Sequence, residues 1–129
     1  MVKNKYNVLI IDDDQQIVDL ITMFVNRNYA EQINVVTAVD AQMAVLKLSN
    51  QEFDLIITDY RMPGRTGIDL SNHVKKSIKY NKIPIILMSG ALLQKDAVNA
   101  IEIGIKDILV KPFTMKQLMA KISNYLDLT

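Results

Sequence analysis

The feature that most constrains this chain is an alternation repeated along its length. A short apolar, β-branched run gives way to a stretch with apolar residues at helical spacing, and the pair recurs about every 25 residues. The apolar runs are residues 6–11 (YNVLII), 33–37, 53–58 (FDLIIT), 83–88 and 108–110. They read as strands buried on both faces, since they are continuously apolar rather than alternating. Between them, Ile17, Leu20, Ile21, Phe24 and Val25 predict a first helix, with Asp14 as its N-cap. Ala41, Ala44, Val45 and Leu48 predict a second. Residues 68–80 predict a third, with Ile68, Val74 and Ile78 among its apolar positions. Leu93, Ala97, Ala100 and Ile101 form a fourth stripe that Gly104 closes. Leu118, Ile122, Tyr125 and Leu126 form the fifth. Five β-α pairs predict an α/β fold, a single doubly wound parallel sheet with helices on both faces.

The 129 residues read as one domain over 1–129, with its core over about 6–126. Composition then removes whole classes of chemistry. The chain has no cysteine, which excludes disulfides, thiol catalysis and thiolate metal sites. Its one histidine, His73, lies inside the third helical stretch and reads as a surface residue. Imidazole-rich zinc sites are excluded, and so is a Ser-His-Asp triad that does not use His73. A net charge of +1 offers no global field for nucleic acid or an anionic membrane. Lys75, Lys76, Lys79 and Lys82 gather near the end of the third helix, where cations complement the helix dipole. No apolar run approaches the ~20 residues that span a bilayer, and no signal-type segment opens the chain. The expected compartment is the cytoplasm.

In an open parallel sheet, ligands bind beyond the carboxyl ends of the strands. Asp12, Asp13 and Asp14 follow the first strand; Asp59, Arg61, Met62 and Pro63 follow the third. Ser89 and Gly90 follow the fourth strand, and Lys111 and Pro112 follow the fifth. Carboxylates converging at one edge repel one another unless a proton or cation offsets the charge. An all-oxygen donor set suits Mg²⁺ or Mn²⁺, and such ions share their remaining positions with water and phosphate. Lys111 and the Ser89 hydroxyl would pair with other phosphate oxygens. The chemistry so assembled is metal-assisted phosphoryl transfer with an aspartate nucleophile.

Four segments carry a resemblance: VLIIDDD (8–14), DLIITDYRMPGRTGIDL (54–70), IPIILMSG (83–90) and DILVKPF (107–113). They resemble the receiver domain of two-component response regulators, over nearly the full chain. The resemblance implies the flavodoxin-like five-stranded fold with strand order 2-1-3-4-5 and five helices. It implies Asp59 as phosphoacceptor, with Ser89 and Lys111 contacting the phosphoryl group. It implies Mg²⁺ on Asp13, Asp59 and the backbone carbonyl of Arg61, with Asp12 acting through water. A cis Lys111–Pro112 bond is implied as well. The implied donor is a sensor histidine kinase or a histidine phosphotransfer protein. Output would pass to another partner or domain, with no membrane or direct nucleic-acid contact by this chain. Catalysis would extend only to its own phosphorylation and dephosphorylation.

Ile108 stands where the family commonly has Tyr or Phe, so readout is expected to work without an aromatic rotor. Arg61 and Ala91 flank the acceptor and the hydroxyl, where they would tune dephosphorylation. A haloacid-dehalogenase-like phosphohydrolase uses similar groups, but its motif needs Thr or Val soon after the second aspartate. Here Gln15 and Gln16 follow the three aspartates. A flavin or nucleotide carrier would need a Gly-rich or hydroxyl-rich loop in their place. A pseudo-receiver that only binds partners would not need the complete set of site residues.

Overall fold

The computed structural model describes residues 5–61, 66–90, 98, 100–105 and 107–128. Five strands, β1 (Tyr6–Ile11), β2 (Ile33–Ala38), β3 (Leu55–Asp59), β4 (Ile85–Ser89) and β5 (Asp107–Val110), form one sheet. All neighbours run parallel, in the order 2-1-3-4-5. Helices α1 (Gln15–Tyr29), α2 (Ala41–Asn50) and α3 (Gly67–Lys76) follow the first three strands. A fourth helical segment, α4, is described at residues 98 and 100–102. Helix α5 (Met115–Ile122) follows β5. Residues 62–65, and Leu93 and Ala97 of the fourth stripe, lie outside the described residues.

Successive strand residues point to opposite faces, and the core divides accordingly. Leu9, Ile11, Ile56 and Leu87 pack with Ala44, Leu48, Leu70, Val74 and Ala100, under α2, α3 and α4. Val8, Ile10, Ile57 and Met88 pack with Ile21, Val25, Leu118 and Ile122, under α1 and α5. This two-sided burial explains why the strands read as continuous apolar runs.

The starts of α1, α2, α3 and α5 each carry a side-chain acceptor for otherwise unpaired amides. Asp14 and Asp40 cap α1 and α2 by accepting from the amides of Gln16 and Met43. Thr66 with Asp69, and Thr114 with Gln117, form reciprocal capping boxes at α3 and α5. Gly104 has φ +95°, a conformation that suits a residue without Cβ, after the last turn of α4.

Helices α3 and α5 are shorter than periodicity predicts. Helix α3 ends at Lys76 rather than Tyr80, because Ser77 is extended and its hydroxyl accepts from the amides of Lys79 and Tyr80. Ile78 is consequently 96% exposed rather than an apolar contact. Ile101 is 68% exposed, and within α1 Val18 is buried where Leu20 is not. Helix α5 ends at Ile122, and Asn124 and Tyr125 continue in tighter i→i+3 turns. Leu126 still reaches the core from that turn.

Candidate functional site

Register in a parallel sheet aligns the strand ends. Ile11 pairs with Thr58, so the next residues, Asp12 and Asp59, stand side by side at the carboxyl edge. Asp59 is itself the last residue of β3 and pairs with Met88, which precedes Ser89. Ser89 pairs with Val110, which precedes Lys111. The winding reverses between β1 and β3, since β2 lies on the other side of β1. The crevice at that reversal is where open α/β sheets accept ligands.

The three aspartates after β1 divide their tasks. Asp12 is fully buried; its Oδ1 accepts from the amide of Asp14 at 2.9 Å and its Oδ2 from Lys111 Nζ at 2.9 Å. Asp13 is exposed toward solvent. Asp14 caps α1. Lys111 Nζ also lies 2.9 Å from Asp59 Oδ1, so one ammonium bridges two carboxylates. Its amide donates to the carbonyl of Ser89 at 2.9 Å, and the Lys111–Pro112 bond is cis.

Burial pushes the Asp59 carboxyl up from its ordinary range, and the charges of Asp12 and Asp13 add to that. Lys111 opposes the rise without cancelling it. At Lys111 itself burial disfavours the charge, but bonds to Asp12 and Asp59 outweigh this and raise its pKa. The lysine therefore stays cationic, and holds a cluster that would otherwise seek a proton.

Carboxylate oxygens of Asp12, Asp13 and Asp59 all lie within 4.8 Å of one another. Among the described residues this is the acidic group able to hold a metal ion, and its donors are all oxygen, which fits a hard divalent cation. Beside it, Asp59, Tyr60, Arg61, Ser89, Gly90 and Lys111 line an open cavity of about 280 Å³. Ser89 is buried at its edge, and Arg61 is exposed. The six residues to which the resemblance gives a role at the site, Asp12, Asp13, Asp59, Arg61, Ser89 and Lys111, thus come together. Ala91 lies outside the described residues. His73 is exposed on α3, away from this edge. Ile108 is half-buried and packs with the core beneath α2, α3 and α4.

Three residues around Asp59 were not foreseen: Thr58, Gly67 and Ser71. The Thr58 hydroxyl donates to the Asp59 carbonyl at 3.1 Å, and the Gly67 amide donates to the Tyr60 carbonyl at 2.7 Å. The available signal was slight: a glycine at the start of a helix, and two small hydroxyls in otherwise apolar positions.

A second polar cluster lies at the opposite edge of the sheet. Asp107 accepts from the Tyr125 hydroxyl and, at 2.9 Å, from Lys121 Nζ. The bond from Tyr125 is the main reason the Asp107 carboxyl is held below its usual range. Burial, together with Asp107, pushes the Tyr125 hydroxyl up to about 12.

Residues 8–123 match the family described as the response regulator receiver domain. The phosphate regulon transcriptional regulatory protein PhoB of Escherichia coli is 29% identical over 115 residues, 89% of this chain and 49% of that protein. The nisin biosynthesis regulatory protein NisR of Lactococcus lactis is 35% identical over 118 residues, 91% of this chain and 48% of that protein. The chain thus spans about half the length of these curated relatives. Among solved structures, the chemotaxis response regulator CheY4 of Vibrio cholerae superposes with a TM-score of 0.84 at 27% identity. That match covers 95% of this chain and 99% of the other.

Proposed function

The chain belongs to the response regulator receiver domain family, and from that premise we propose that Asp59 accepts a phosphoryl group in a Mg²⁺-dependent reaction. The observation that carries the reading is a buried, up-shifted carboxylate at the end of β3, held 2.9 Å from a lysine and beside two further aspartates. An oxygen of the Asp59 carboxylate attacks phosphorus, forming a P–O bond as the P–N bond of a phosphohistidine breaks. The electron pair leaves with the imidazole, which takes up a proton. The attacking species is the ionised carboxylate, and the Lys111 ammonium at 2.9 Å favours that form. After transfer the charge beside Lys111 has grown, so the ammonium turns from carboxylate to phosphoryl oxygens. The Ser89 hydroxyl, at the same cavity, donates to another.

Asp13, Asp59 and the main-chain carbonyl of Arg61 would hold the Mg²⁺, with Asp12 reaching it through water. The ion would supply charge neutralisation at the phosphoryl oxygens. The donor in this reading is a sensor histidine kinase or a histidine phosphotransfer protein in the cytoplasm, as the family implies. The phosphorylated form then controls an output partner or domain. Chemistry is limited to the chain's own phosphorylation and dephosphorylation.

The test is labelling with acetyl phosphate and Mg²⁺, read by intact mass and by lability in base. One phosphoryl mass is expected on the wild type and none on Asp59→Asn. Asp13→Ala should also abolish labelling while staying folded. A stoichiometric label that survives Asp59→Asn would move the acceptor elsewhere, to Asp12 first, which is the hydrolase assignment.

A further inference from the structure

The acceptor and one proposed metal-binding carbonyl sit on consecutive residues, Asp59 to Arg61, with Tyr60 between them. Their aim depends on how that short backbone is held. The structure holds it with the first turn of α3.

A Cβ on Gly67 would lie 2.2 Å from the carbonyl oxygen of Asp59 and 3.0 Å from its carbonyl carbon. It would also lie 3.0 Å from Cδ1 of Leu87. The first two are backbone atoms of a central strand, so neither gives way cheaply. The glycine lets α3 approach until its own amide reaches the Tyr60 carbonyl at 2.7 Å. One turn on, the fully buried Ser71 hydroxyl donates to the Gly67 carbonyl at 2.6 Å. From the other side, Thr58 Oγ1 donates to the Asp59 carbonyl, and the Tyr60 amide donates to Met88 at 2.8 Å. Two successive peptide units are thereby fixed from α3, β3 and β4 together.

We propose that Gly67 and Ser71 are positioning residues for phosphoryl acceptance: they clamp α3 onto the Asp59–Tyr60 backbone and so aim the Asp59 carboxylate and the Arg61 carbonyl. This rests on Asp59 as acceptor. Neither side chain touches the reacting atoms, and the effect passes through main-chain contacts. Placement errors of an ångström at a reacting centre cost far more rate than stability. A merely structural role would lower stability and leave chemistry intact.

The experiment compares wild type, Gly67→Ala, Ser71→Ala and a control, Leu126→Ala, whose buried side chain packs under α1 and α5. Three quantities are read well below each melting temperature. They are the urea midpoint, the Mg²⁺ affinity from amide shifts of Tyr60 and Arg61, and the rate of labelling by acetyl phosphate at saturating Mg²⁺. Gly67→Ala should weaken Mg²⁺ binding and slow labelling by about tenfold or more, and Ser71→Ala by about threefold. Leu126→Ala should lose stability but keep both. Wild type that takes no label on Asp59 defeats the acceptor reading itself. Wild type that labels, beside a folded Gly67→Ala within about twofold of it in affinity and rate, defeats only the clamp. Should Gly67→Ala not fold, Ser71→Ala decides. Wild-type affinity and rate in Ser71→Ala overturn the proposal.

Discussion

Replacing Lys111 with methionine tests the charge balance of the site in a single step. Methionine keeps much of the aliphatic stem and removes the ammonium. Each of the two contacts, at 2.9 Å, is worth about 6 kcal/mol of Coulomb attraction at an effective dielectric near 20. The repulsion between the two carboxylates is present with or without the lysine, so what stands against the attraction is several kcal/mol for desolvating the ammonium, together with solvent screening. A net loss of about 3 kcal/mol is expected when the ammonium is removed. That matches the lower end of the cost of removing one partner from a buried pair, as suits a side chain 20% exposed.

The loss has a pH signature. Burial, Asp12 and Asp13 already raise the Asp59 pKa in the folded state, and without Lys111 it rises further. A carboxyl with a raised folded pKa binds more protons folded than unfolded in the window above 3.8, so stability falls as pH rises through it. The deficit of Lys111→Met should therefore be about 3 kcal/mol at pH 7 and clearly smaller at pH 5. Urea unfolding in EDTA measures both, and adding Asp59→Asn should recover about 2 kcal/mol at pH 7. A deficit under about 0.5 kcal/mol at pH 7, or one equal at both pH values, would refute the reasoning.

Asp59→Asn alone should raise stability at pH 7, since a neutral isostere escapes the penalty that burial and the neighbouring aspartates place on the charged form; a lower melting temperature contradicts this. Tyr125→Phe should cost about 1 kcal/mol at pH 8, discounted for partial exposure. The Tyr125 pKa is raised from 10.0 to about 12, so the wild-type advantage holds below pH 10 and shrinks as pH climbs through that window. Alkaline unfolding curves that stay parallel for the two proteins would remove that linkage. Gly104→Ala should cost about 1 kcal/mol at the positive φ, with Gly104→Asn costing less; thermal unfolding of the pair decides it.

Most of the architecture was legible because each level of the sequence repeats the same message. The strand runs are apolar on both faces, and Asp14 caps its helix as the sequence suggests. Periodicity failed at helix ends, where local hydrogen bonds compete with the helix. Ile78 fits the stripe of α3, but the Ser77 hydroxyl captures the amides that would have continued it. Tyr125 fits the stripe of α5, yet its hydroxyl is directed to Asp107, a partner 18 residues earlier in the chain. Side-chain partnerships of that kind have no period to betray them.

The site was legible for a different reason. Its residues are polar and sit where an apolar strand has just ended, so they stand out against their surroundings. What supports them does not stand out. Thr58 and Ser71 are fully buried, and Gly67 matters through the atom it lacks. A reading by residue type finds the groups that present charge and misses those that hold the backbone. The same asymmetry bears on Ile108. Its side chain packs against the buried cluster that includes Leu87, Leu70 and Val74, on the face that α3 also covers. Leu87 is the β4 partner of Ile108 and lies against Gly67. A change at the Asp59 backbone thus meets, through Gly67 and Leu87, the β-branched residue on β5. Ile108 is stiff at χ1 and cannot sweep an aromatic's arc. Any signal crossing there must travel as a shift of packing between elements, and phosphorylation can drive it only as far as one packing binds the phosphoryl group better than the other.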